Sequence, residues 1–136
     1  MTMESRELTV AERGLLDFLL TREFPGRDEL VVQAKTIRTT GSSCKCGCPS
    51  FGLTADTSLP AAPLVGVVSD AHGTDPGGHP VGVLLWVEDG YLADVEVFDY
   101  EGEYEDDTFS GVPDPTALKL SQWSEPRDGS RTLLNP

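Results

Sequence analysis

The sequence predicts an α+β domain: an N-terminal helical hairpin packed on one face of an antiparallel β-sheet meander. Three observations lead there. Apolar residues recur at helical spacing through the first 35 positions, β-branched and alternating segments begin at Thr36, and clusters of Gly, Pro and Asp punctuate the rest. Helices followed by strands, rather than interleaved with them, are the α+β order, and short connections favour pairing of consecutive strands. The 136 residues suit one domain with a real core. Residues 1–8 read as an N-terminal extension, 9–120 as the domain, and 121–136 as a polar, breaker-rich tail expected to be disordered.

The first helix is signalled by Thr9-Val10-Ala11-Glu12, a capping box in which the Thr9 hydroxyl and the Glu12 carboxylate each accept from the other residue's backbone N–H. It is expected over Val10 to Arg22, with Ala11, Leu15, Phe18 and Leu19 as an apolar stripe that Leu16 and Leu20 widen. Gly14 weakens it locally, and Phe24-Pro25-Gly26 ends it. A second helix follows over Arg27 to Lys35, with Asp28 and Glu29 at its positive end and Leu30, Val31 and Ala34 facing inward. Strands are expected over Thr36 to Thr40, Ser50 to Asp56, Leu64 to Asp70, Val81 to Val87, Tyr91 to Tyr100 and Ala117 to Leu120. The segment His72 to Pro80 reads as a long flexible turn.

The connection between the two clearest strands has two solutions. A two-residue Asp89-Gly90 turn sets Asp94 and Glu96 opposite Leu85 and Val83. A three-residue loop, Glu88-Asp89-Gly90 with Gly90 left-handed, sets Val87, Leu85, Val83 and Val81 opposite Tyr91, Ala93, Val95 and Val97. Register follows the buried face, which favours the three-residue loop. The opposite face then carries Leu84, Trp86, Leu92, Asp94, Glu96 and Phe98.

Charge is distributed unevenly. Between Lys45 and Lys119 there are fourteen Asp and Glu residues and no Lys or Arg, while the flanking segments nearly cancel, so the net charge of −13 arises in that stretch. Such a field repels nucleic acid and anionic membrane and attracts cations or basic proteins. No apolar run approaches the ~18–20 residues of a membrane span, and the opening residues lack the apolar core of a signal peptide. The expectation is a cytoplasmic protein with reduced cysteines.

The three cysteines lie together in Cys44-Lys45-Cys46-Gly47-Cys48-Pro49. On an extended segment, residues two apart face the same way, so the cluster is a candidate zinc site with His72 or His79 as fourth ligand. Against zinc, the Cys-x-Cys spacing strains chelation by both thiols, and no second pair exists. The other readings are small buried hydrophobes and a redox thiol activated by Lys45. Other chemistry is poorly supported. The acidic run from Asp99 has its glycine fourth rather than sixth, which breaks the calcium-loop pattern. Asp94 and Glu96 share a strand face, as a carboxylate pair for hydrolysis requires, but also as an ordinary solvated face does. No nucleotide-binding, nucleophile-elbow or zinc-protease motif is present.

Phe24-Pro25-Gly26-Arg27-Asp28-Glu29-Leu30, Cys44-x-Cys46-Gly47-Cys48-Pro49-Ser50, a Gly-Val-Leu-Leu-Trp strand and Asp89-Gly90-Tyr91-Leu92 together resemble a group of small uncharacterised actinobacterial proteins, over about residues 9–120. The resemblance implies a cytoplasmic origin and no particular activity. From the residues themselves, the leading expectation is a non-enzymatic acidic interaction module. Its partner surface would be Trp86, Leu92, Asp94, Glu96 and Phe98, extended by Glu101 and Glu103 of the acidic loop. Aromatics within a carboxylate rim suit a basic protein, as in an immunity or inhibitor protein. A zinc protein on Cys44, Cys46 and Cys48 is the alternative, and a small hydrolase a third.

Overall fold

The computed structural model describes residues 5–42, 49–99 and 111–121. Two helices, α1 (Val10–Leu19) and α2 (Arg27–Ala34), precede strands β1 (Arg38–Ser42), β2 (Phe51–Thr54), β3 (Gly66–Thr74), β4 (Pro80–Glu88), β5 (Tyr91–Asp99) and β6 (Leu118–Leu120), the last preceded by a 3-10 turn at Pro115–Ala117. The strands form one antiparallel sheet, and the fold is α+β. Among the described residues no helix is long and apolar enough to cross a membrane.

Strand order is β1-β2-β5-β4-β3-β6. The meander therefore runs only through β3, β4 and β5. The β1–β2 hairpin joins the far side at β5 rather than pairing β2 with β3, and β6 closes the other edge beside β3. The long connection from Thr54 to Gly66 permits this crossing, and hydrogen bonds from its residues secure it. Ala62 N–H donates to Gly90 O at 2.9 Å, and the Tyr91 hydroxyl donates to Leu59 O at 2.8 Å.

Both capping-box bonds of α1 form, Glu12 N–H to Thr9 Oγ1 at 3.1 Å and Thr9 N–H to Glu12 Oε1 at 2.9 Å. The helix stops at Leu19, a turn earlier than expected, with Leu20 as its cap. Gly26 caps α2 with a left-handed φ of 91°. α1 packs on β3 and α2 on β5. Leu15, Leu16, Leu19 and Leu30 meet Val81, Val83, Leu85, Val95 and Val97 in one core. Two buried polar side chains pin this layer. Ser69 Oγ donates to Leu19 O at 2.7 Å, and Gln33 is fully buried. Its Nε2 donates to Pro60 O and Gly90 O at 3.0 Å each, and its Oε1 accepts from Leu92 N–H at 2.9 Å. The chain from Ser5 is tied to the sheet, because Arg6 and Thr39 exchange backbone hydrogen bonds of 2.8 and 2.9 Å.

The β4–β5 connection differs from the three-residue expectation. Asp89 and Gly90, with φ of 54° and 89°, form a two-residue turn that pairs Glu88 with Tyr91 and Val87 with Leu92. Positive φ at both central residues is the turn whose twist matches a hairpin. The conflict between carboxylates and core is removed one step later. A bulge leaves Ala93 without a partner, Trp86 then faces Asp94, and Leu85 faces Val95. The buried face still dictated the register, through a bulge in the strand rather than a longer loop. The segment after β3 is also more built than a flexible turn. β3 runs to Thr74, and buried Asp75 accepts through Oδ1 from Gly77 and His79 N–H at 2.9 Å each.

Candidate functional site

Alternation along β4 buries Val81, Val83, Leu85 and Val87 against the helices and turns Gly82, Leu84 and Trp86 to the other face. On β5 the bulge places Val95 and Val97 inward and Asp94, Glu96 and Phe98 outward. A bulge in β3 between Val67 and Ser69 sends Ser69 and Ala71 inward, leaving Val67, Asp70 and His72 outward. Register then lines the outward residues up in rows across the sheet. Asp94, Trp86 and Val67 form one row, Glu96, Leu84 and Asp70 the next, and Phe98, Gly82, His72 and Lys119 the third.

The result is a mixed surface. Three carboxylates, Asp70, Asp94 and Glu96, surround Leu84 and Trp86, whereas His72 and Lys119 make a more basic edge. Trp86 is 36% exposed, and its indole Nε1–H donates to Glu96 Oε1 at 2.9 Å, which fixes the ring along the diagonal between β4 and β5. The Phe98 ring covers Gly82. A Cβ built at Gly82 would lie within 2.9 Å of three Phe98 ring carbons, so glycine there lets the aromatic lie flat on the strand. Asp70 Oδ1 is buried from solvent and makes no hydrogen bond among the described residues.

The structure brings Trp86, Asp94, Glu96 and Phe98 together as expected of one face. It removes Leu92 from that set. Leu92 is 2% exposed and sits in the core opposite Val87, because the bulge at Ala93 reverses the alternation between it and Asp94. Glu101 and Glu103 lie outside the described residues, as do Cys44, Cys46 and Cys48. Of the two histidines considered as zinc ligands, His72 belongs to strand β3, and His79 Nδ1 lies 3.2 Å from Asp75 Oδ1. Among the described residues no group of three His, Cys, Asp or Glu has the geometry to hold a metal ion. Asp70, which the sequence places at the end of an expected strand and outside the candidate surface, is the member that sequence reasoning missed. Its outward alternation is legible only once the β3 bulge is known.

Carboxylates engaged in local structure are a different population. Asp56 is held below the usual carboxylate range by the Ser58 hydroxyl and backbone N–H, and Asp114 by the backbone N–H and hydroxyl of Thr116. Burial pushes the Glu12 carboxyl up, but the Arg6 guanidinium and the Thr9 backbone N–H outweigh it and hold the group below its ordinary value. These acids cap turns and a helix, and none lies on the outer sheet face.

No protein-family model matches this chain, and neither the curated proteins nor the solved structures contain a match to it.

Proposed function

We propose that the protein is a non-enzymatic interaction module whose outer sheet face receives a basic protein, in the manner of an immunity or inhibitor protein. The supporting observation is the grouping of Asp70, Asp94 and Glu96 around Leu84 and Trp86 on three adjacent strands, with both helices packed on the opposite face. Carboxylates around an aromatic suit lysine and arginine heads together with their apolar stems.

The test uses oligoarginine as a probe and backbone and indole NMR shifts as the readout. Shifts are expected to concentrate on Val67, Asp70, Leu84, Glu96 and the Trp86 indole N–H. Asp70→Asn/Asp94→Asn/Glu96→Gln should weaken binding at least about tenfold, or ~1.4 kcal/mol. A control, Glu23→Gln/Asp28→Asn/Glu29→Gln, removes the same charge from the helical side and should leave affinity within about twofold, because local charge outweighs distant charge beyond a Debye length of roughly 8–10 Å. Equal losses from the two triple variants would show attraction to the net charge alone and would refute the assignment to this face.

A further inference from the structure

We propose a second site on the helical side: the cleft between the first turn of α1 and the α2–β1 connection binds a small anionic molecule with an apolar body. The cleft encloses about 660 Å³ and is lined by Glu7, Val10, Arg13, Gly14, Lys35 and Arg38, among others. That volume lies within the roughly 300–1,000 Å³ of small-molecule sites.

Three cations face this space, in a chain of net charge −13. Arg13 is fixed across the two helices by donating from Nη1 to Ala34 O at 2.6 Å, with Asp17 Oδ1 only a distant 3.9 Å neighbour. Arg38 donates through Nε to Ser5 Oγ and through Nη2 to Ser5 O, at 2.9 and 3.0 Å, and forms no ion pair among the described residues. The Lys35 ammonium forms neither an ion pair nor a hydrogen bond among the described residues. Glu7 is the carboxylate lining the cleft, and the nearby Glu12 carboxylate is taken by both terminal nitrogens of Arg6, at 2.9 and 3.0 Å. A phosphate, sulfonate or carboxylate group matches this surplus.

A separate observation places the apolar part. Gly14 sits inside α1, where glycine weakens a helix relative to alanine. Packing does not require it, since a Cβ there would meet nothing within 4 Å. Gly14 and Val10 line both this cleft and a neighbouring one of about 490 Å³ walled by Pro76, Pro113 and Pro115. The missing side chain keeps a low saddle between the two clefts. Val10, 91% exposed, stands beside it as an apolar wall. An anion held at Lys35 and Arg38 would lay its body across Gly14 against Val10.

The test is a titration of the full chain with 1-naphthyl phosphate, followed by backbone NMR shifts, with 1-naphthol and inorganic phosphate as comparisons. Saturable shifts are expected at Val10, Gly14 and residues 35–38, with Kd below about 1 mM and weaker binding of either comparison compound at the same amides. Lys35→Gln/Arg38→Gln should weaken the naphthyl phosphate at least tenfold. Gly14→Leu should abolish its binding while the melting temperature holds or rises. Gly14→Ala serves as the folded reference should leucine disturb the helix, and should weaken binding measurably. Absence of saturable shifts at these amides, or unchanged affinity in the lysine–arginine variant or in the folded Gly14 variants, would overturn the proposal. The outer sheet face plays no part in any of these readouts.

Discussion

Replacing Gln33 by methionine tests how the hairpin carrying the outer-face residues is held. The substitution keeps the length of the side chain and removes three hydrogen bonds from a residue with no solvent exposure. The three partners are not equivalent. Gly90 O keeps its bond from Ala62 N–H, and exposed Pro60 can turn to water. Leu92 N–H belongs to a residue 2% exposed beside the Ala93 bulge, where the strand ladder is interrupted, so it is left stranded. An unsatisfied buried donor costs about 1–3 kcal/mol, and the other two bonds together contribute about 1 kcal/mol. The expected loss is therefore about 3 kcal/mol, read as a shift of the urea midpoint at unchanged slope. For a chain of 136 residues this corresponds to roughly 10 °C in Tm. A Gln33→Met protein within about 0.5 kcal/mol of wild type would refute the claim that this amide carries the α2–turn junction.

Two further outcomes follow from the same geometry. Gly82→Ala must displace the Phe98 ring and should cost about 1–3 kcal/mol; in a Phe98→Ala background the cost should fall by at least about 1 kcal/mol, and strict additivity in the double-mutant cycle would contradict the stacking. For Glu12, a pKa lowered in the fold means that the unfolded chain binds the proton first as pH falls, so the contribution is present above the unfolded value of about 4.3 and is lost as pH drops through the lower folded value. Glu12→Gln, which can keep the capping box, should therefore melt a few degrees below wild type at pH 7, and the gap should close on acidification; a gap independent of pH would exclude the Arg6–Glu12 charge pair as its source.

What the sequence determined by itself was local. The capping box, the stripe of Leu15, Leu16 and Leu19 and the strand alternation each depend on residues within a few positions of one another. They were enough for two helices, the approximate strands and the sharing of one face by Trp86, Asp94, Glu96 and Phe98. The choice of the two-residue Asp89-Gly90 turn over a longer loop did not follow from local pattern. Tertiary structure decided whatever depended on a distant partner. Leu92 and Asp94 are two residues apart and would share a face on a regular strand. The bulge that separates them forms because Leu85 and Val83 must meet Val95 and Val97 under the helices. Asp70 joins the outer face only through a second bulge, and β2 reaches β5 only because the intervening strands fold as a unit beside it. Gln33 carried no sign in the sequence of being the buried joint of α2, since its three partners lie 27 to 59 residues away. Local pattern specifies which residues prefer burial; the pairing of distant strands decides which of them share a face.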